Sequence, residues 1–182
     1  MKKQIIIATA NKSKLKEFQN LLTDYDVVNM PVETVEIQGT SEEVILEKAR
    51  QTYAKIVKRC VVEDTSFCFE EWNGLPGPYI KDFLKHLGYA KLNDLTKNKN
   101  AKTICLVALA NSMEDIIIFR GEVTGKVVES KGVNGFEFDR VFIPDGHDKR
   151  FSEMTLEEKN ACSHRYQAIN KLKEYLDKEE SR

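Results

Sequence analysis

The chain has 182 residues, 41% of them apolar and 31% charged, enough for a sizeable core and ordinary for a globular protein. Its formal net charge of −1 excludes a general basic field for nucleic acid or an anionic membrane, so any phosphate must be met by local lysines. Cys60, Cys68, Cys105 and Cys162 form no CxxC pair, and His86, His147 and His164 are scattered. That pattern points to buried thiols in a reducing compartment and away from a zinc site. The opening MKKQIIIATANKSK carries an apolar run far too short for a signal peptide or a membrane span, and a cytoplasmic location is the expectation.

In chain order, residues 4–8 form a compact Ile-rich run, expected to be a strand buried on both faces. Asn11 offers a cap for a helix over 12–23, with Leu15, Phe18, Leu21 and Leu22 at helical spacing. A short strand is expected over 25–30. Thr40 or Ser41 caps a second helix whose apolar stripe is Val44, Ile45, Ala49, Tyr53, Ala54 and Val57. A strand over 60–68 leads into NGLPGPYI, a loop dense in Gly and Pro. Helical spacing resumes at Ile80, Phe83, Leu84 and Leu87 and stops at Gly88, and 90–97 suggest another short helix. Residues 103–110 and 115–128 look like an antiparallel pair with a turn at 111–114. Residues 136–143 alternate as a strand. A last helix runs over 163–177, with Ala168, Ile169, Leu172, Tyr175 and Leu176 facing inward. No linker, repeat or low-complexity tract interrupts the chain, so residues 1–182 are expected to form a single α/β domain with a mixed sheet.

Three segments carry candidate chemistry. TANKSK (Thr9, Ala10, Asn11, Lys12, Ser13, Lys14) follows the first strand and opens a helix, where unpartnered amides and the helix dipole favour an anion. A plain polar turn capped by Asn11 is an equally good reading of that stretch alone. CVVEDTSFCF places Glu63 and Asp64 inside an otherwise apolar run. An unpaired carboxylate in a core is prohibitively costly, so the strand is expected to end at Val62 or Glu63, with both acids at its carboxyl edge. Carboxylates at such an edge suit magnesium, which takes one or two of them plus phosphate oxygens and water. The bland alternative is that each acid caps a turn or pairs with a lysine. In the third segment, Thr155 and Glu158 fit a capping box, and Ser163, His164 and Arg165 open the last helix.

Taken in order, ATANKSKLKEF, VEDTSFCFEEWNGLPGPYIKDFL and GFEFDRVFIPDGHDKRFSEMTLEEKNACSHRYQAINKL resemble the inosine triphosphate pyrophosphatase family, the HAM1-like group, over essentially the whole chain and most closely its eukaryotic members. The resemblance implies an elongated mixed β-sheet with flanking helices, two lobes around a central substrate cleft, and a homodimer. It implies hydrolysis of ITP, dITP and XTP to monophosphate and pyrophosphate with magnesium, for which manganese can substitute. By position, Thr9, Asn11 and Lys14 would hold the triphosphate with Lys48 and Lys81. Glu36 and Asp64 would hold the metal. Asp64 would also prepare the attacking water, flanked by Glu63 and Thr65. Phe136 would stack on the purine and Asp139 would meet its edge, with Glu137 and Phe138 between them. Lys159, His164 and Arg165 would close over the base and its 6-oxygen.

The chain departs from the family pattern at three places. Ala10 and Glu137 stand where the family has glycine, and Arg140 where it has proline. These changes bear on base selectivity more than on reaction type. A pyrophosphatase of shifted base preference, or a nucleotide-binding protein without catalysis, are the competing readings; the retained Lys14, Glu36, Asp64 and Lys81 argue against lost catalysis.

Overall fold

The structure, a computed structural model, describes residues 2–131 and 137–180. Its elements in order are β1 (Lys3–Ile7), α1 (Lys12–Leu21), β2 (Tyr25–Asn29), α2 (Ser41–Ile56), β3 (Cys60–Phe69), β4 (Pro76–Gly77), α3 (Ile80–Leu87), α4 (Tyr89–Leu92), β5 (Asn100–Ala110), β6 (Ile116–Val127), a 3-10 turn (Glu137–Arg140), β7 (Phe142–Pro144), a second 3-10 turn (Phe151–Glu153), α5 (Leu156–Cys162) and α6 (His164–Glu180). The strands form one mixed sheet in the order β2-β1-β3-β5-β6-β7, with β4 paired to β3. β1 runs parallel to β2 from Lys3↔Tyr25 to Ile7↔Asn29 and parallel to β3 at Ile6↔Cys60 and Ile7↔Val61. Parallel neighbours require crossovers, and α1 and α2 supply them. β4 and β7 pair antiparallel, with β3 and β6 respectively. The mixed α/β class is as expected.

By its own contacts the chain divides into two compact units. One comprises Met1–Asp64, Leu106–Arg120 and Gln167–Arg182; the other comprises Thr65–Cys105 and Gly121–Tyr166. In the first, Ile5–Ile7, Phe18, Leu22 and Ile45 are buried, as are Ala168, Ile169 and Leu172 of α6. Tyr175 of α6 is half-buried and lies against Phe119, ring centroids 5.6 Å apart. The second unit centres on aromatic rings. Phe67 meets Phe69, Phe138 and Phe142 at centroid separations of 5.4, 4.8 and 5.7 Å, and Ile80, Leu84 and Leu92 close the cluster. At Gly125 the sheet leaves no room for a Cβ, which would overlap the Ile143 carbonyl and the Phe142 ring.

Helix ends follow local chemistry. Asn11 caps α1. Thr40, not Ser41, caps α2, in a capping box with Glu43. Thr155 and Glu158 form the expected box at α5.

Four local expectations change. β3 does not stop at Val62 or Glu63 but runs through both acids to Phe69. The strand expected over 136–143 is replaced, among its described residues, by a 3-10 turn at Glu137–Arg140, and the chain extends at Phe142–Pro144. The helix expected over 90–97 is the single turn Tyr89–Leu92. Ala54 and Val57 are exposed; Val57 takes a left-handed conformation at the end of α2, and Thr52 is buried instead. The inward face of α2 therefore continues through Thr52 and the half-buried Ile56 and not through Ala54 and Val57.

Candidate active site

β3 explains the two acids in an apolar strand. It pairs with β1 at Cys60 and Val61, with β4 at Phe67 and Cys68, and with β5 as its other neighbour in the sheet. Alternation sends Glu63 and Asp64 to opposite faces. The Glu63 side chain is buried and that of Asp64 mostly so, 2% and 14% exposed, and each meets its own lysine. Lys14 Nζ of α1 lies 2.5 Å from Glu63 Oε2. Lys48 Nζ of α2 donates to Asp64 Oδ1 at 2.9 Å and to the Glu63 carbonyl at 3.2 Å. The pairing with lysines thus accounts for both acids. It is compatible with a phosphate site, because it places two cations beside two carboxylates within the first unit.

Burial pushes the Asp64 carboxyl above its ordinary pKa, against the pull of the Lys48 and Lys14 ammonium groups. A carboxylate tuned toward neutrality is a better proton acceptor than an ordinary one.

At the start of α1, Asn11 Oδ1 accepts from the amides of Ser13 (3.0 Å) and Lys14 (3.1 Å), and Thr9 Oγ1 accepts from the Asn11 amide (3.1 Å). Two amides expected to face an anion are therefore taken by the cap. Thr9 and Asn11 spend acceptor oxygens in these bonds, so the Thr9 hydroxyl hydrogen and the Asn11 NH2 are what they can offer a phosphate. Ala10, Lys12 and Ser13 are exposed.

In the second unit, Lys159 Nζ of α5 pairs with Asp139 Oδ2 at 2.7 Å, and Asp139 is 3% exposed. His164 packs against Phe138 and Phe151, centroids 5.8 and 6.0 Å apart. Arg165 Nη2 donates to Thr65 Oγ1 at 3.2 Å. Phe138 and His164 are each 2% exposed and Arg165 4%; Phe138 belongs to the aromatic core of this unit. Lys81 is exposed on the first turn of α3 and joins none of these pairs. Phe136 lies outside the described residues, and Glu137 is described only as the first residue of its turn. Sequence reasoning missed one contact here: Arg140 stands over the Tyr89 ring, 5.5 Å from its centroid. The unexpected arginine was the available signal.

Glu36 is exposed in the stretch 30–40, which has no helix or strand. Among the described residues, no three His, Cys, Asp or Glu side chains gather as a metal cage. Asp64 and Glu36 are carboxylates of the hard-oxygen kind that a divalent cation bound to phosphate and water takes as ligands. A concavity of about 540 Å³ in the second unit, lined by Phe69, Asn73, Lys102 and Asp145 among others, contains none of the candidate residues. The paired charges at β3 lie outside this concavity. Among the described residues no helix is long and apolar enough to cross a membrane.

Two lysine–carboxylate pairs at one strand of a mixed sheet bring together cations and hard oxygen donors, the groups that phosphoryl chemistry draws on. The Ham1 family profile matches residues 5–175, and the chain belongs to that family. It is 40% identical to an inosine triphosphate pyrophosphatase of Schizosaccharomyces pombe, covering 97% of each chain. It is also 40% identical to one of Chaetomium globosum, covering 94% of this chain and 91% of the relative. The fold matches the Ham1 protein of Staphylococcus aureus (TM-score 0.78, 26% identity, 97% of this chain and 100% of that one). It matches a HAM1 protein from Coxiella burnetii similarly (TM-score 0.81, 26% identity, 97% and 99%).

Proposed function

We propose that this protein is a nucleoside triphosphate pyrophosphatase that removes ITP, dITP and XTP from the nucleotide pool, releasing the monophosphate and pyrophosphate. The observation that carries the reading is the double pairing at β3, Lys14 with Glu63 and Lys48 with Asp64, in a member of the Ham1 family. Water attacks the α-phosphorus and the bond to the bridging oxygen breaks, so pyrophosphate leaves. Asp64, its carboxyl raised by burial, takes the proton of that water. Lys48 fixes the Asp64 rotamer through Oδ1. Lys14, with Thr9 and Asn11, meets the charge on the leaving pyrophosphate, and Lys81 adds a further cation. Glu36 and Asp64 would hold magnesium, for which manganese can substitute; the metal supplies charge neutralisation at the phosphates.

The base is chosen by donors. Lys159, His164 and Arg165 present N–H groups to the 6-oxygen of hypoxanthine or xanthine, and adenine offers a donor there instead. Unpaired buried donors of this kind discriminate by ~10⁴ or more. Thr65 steadies Arg165. Asp139 meets the base edge and Phe136 stacks on it, with Glu137 and Phe138 between them in sequence. Residues 1–182 act as one domain, in a cytoplasmic homodimer. The test is pyrophosphate release from ITP, dITP, XTP, GTP, ATP and pyrimidine triphosphates, with magnesium and then with EDTA. Activity confined to ITP, dITP and XTP, and lost with EDTA, is expected; release from ATP at a similar rate refutes the assignment.

A further inference from the structure

The segment that carries Glu36 has no ladder of its own, so its backbone must find partners elsewhere. Val35, the neighbour of Glu36, has both backbone groups taken by one side chain. Gln51 Oε1 accepts the Val35 N–H at 2.8 Å, and Gln51 Nε2 donates to the Val35 carbonyl at 3.1 Å. The amide cannot flip, because Nε2 also donates to Glu47 Oε1 at 3.0 Å. One turn on, Lys55 Nζ donates to the Glu33 carbonyl at 2.6 Å. Lys48, Gln51 and Lys55 recur at the spacing of one helix face, and Lys48 holds Asp64. A single face of α2 therefore grips the strand bearing one acid and the loop bearing the other, all within the first unit.

We infer that Gln51 is a positioning residue that sets the Glu36 carboxylate, through Val35, on the same helix that sets Asp64. The inference rests on the reading of Glu36 as a metal ligand. Val35 is 74% exposed, so water competes for these bonds. The two-point geometry favours the clamp, since the loss of one bond to water leaves the other holding Val35.

The test uses the full chain as Gln51→Met, which keeps length and helix propensity but has no polar clamp. Lys55→Met and Glu36→Gln accompany it. In protein without metal or nucleotide, amide exchange over residues 31–38 should rise about tenfold in Gln51→Met, as expected for two lost hydrogen bonds. With ITP, the magnesium concentration giving half-maximal turnover should rise several-fold, while kcat at saturating magnesium stays within a factor of about two. Lys55→Met should move both readouts the same way. In a Glu36→Gln background, Gln51→Met should add nothing to the magnesium shift. Unchanged exchange overturns the clamp. Raised exchange with an unchanged magnesium requirement, while Glu36→Gln shifts that requirement, overturns the positioning role and leaves Glu36 as a ligand. A magnesium requirement indifferent to Glu36→Gln overturns both.

Discussion

Lys48 holds Asp64 by its side chain at 2.9 Å and the Glu63 carbonyl at 3.2 Å with the same ammonium. One residue of α2 thus fixes both the rotamer and the backbone of the acidic pair. It also keeps the Asp64 carboxyl from rising as far as its burial alone would push it.

That relationship fixes the sign of a pH effect. Removing the Lys48 charge in Lys48→Met removes a force that lowers the Asp64 pKa, so the carboxylate stays protonated to higher pH. The acid limb of kcat/KM for ITP should move upward. Activity at neutral pH should fall about ten- to a hundredfold and partly recover in alkaline buffer. An unshifted acid limb would remove Asp64 from the rate-determining proton transfer.

Stability and activity should part company at Asp64. A carboxyl whose folded pKa is raised is best tolerated at low pH, and its contribution to stability is lost as pH rises through the folded pKa. Asp64→Asn removes that penalty at neutral pH. Turnover should drop by about three orders of magnitude or more, while the urea midpoint at pH 7 stays level or rises. A clear fall in the midpoint would mean that the Lys48 pair stabilises the fold more than burial costs it.

The thiols offer an independent check on the core. Burial pushes the Cys60 thiol up to about 11, which leaves roughly one part in a thousand as thiolate at pH 8. Cys68 and Cys105 are also buried, and Cys162 is half-buried. A disulfide reagent should label at most Cys162 in the native protein and all four thiols in denaturant. Rapid native labelling of Cys60 would contradict the packing of β3 against β1.

Arg140 closes the turn that carries Asp139, and its guanidinium rests on Tyr89. Tyr89→Leu keeps an apolar residue and removes the ring. The loss should be about 0.5–1 kcal/mol of stability, with KM for ITP rising before kcat falls. A change in kcat alone would separate this turn from substrate binding.

Much of this was legible in the sequence where local chemistry decides. Asn11, Thr40 and Thr155 announced three helix starts because side-chain caps act within three residues. β1 followed from its continuous Ile-rich run and the apolar face of α6 from periodicity. What was not legible was long-range pairing. Nothing in CVVEDTSFCF says that Lys14 and Lys48 neutralise its acids, and without those partners a strand running through Glu63 and Asp64 looked too costly. The alternation at 136–143 imitated a strand, yet Phe138 was drawn into the Phe67 cluster and the backbone tightened into a 3-10 turn. Gln51 carried no signal at all, since an amide on a helix surface is the commonest of neutral placements.

Lys14 carries the last prediction, because its pairing changes what a simple deletion means. A lysine that only gripped phosphate could be cut to alanine with a uniform loss of affinity and an intact fold. Here Lys14 Nζ lies 2.5 Å from Glu63 Oε2, and the Glu63 side chain is 2% exposed. Lys14→Ala strands a buried carboxylate, which should cost about 3 kcal/mol of stability besides any loss of binding. Glu63→Gln in the same chain removes that stranded charge. The double variant should therefore recover most of the lost stability, measured by urea unfolding, and none of the lost affinity for triphosphate. Because phosphate is common to all substrates, KM for ITP and XTP should rise by a similar factor in both variants, with the ITP-to-ATP ratio of kcat/KM unchanged. If the double variant regains affinity along with stability, Lys14 serves the fold alone and the triphosphate is held elsewhere. If the ratio collapses, Lys14 belongs with the residues that recognise the base.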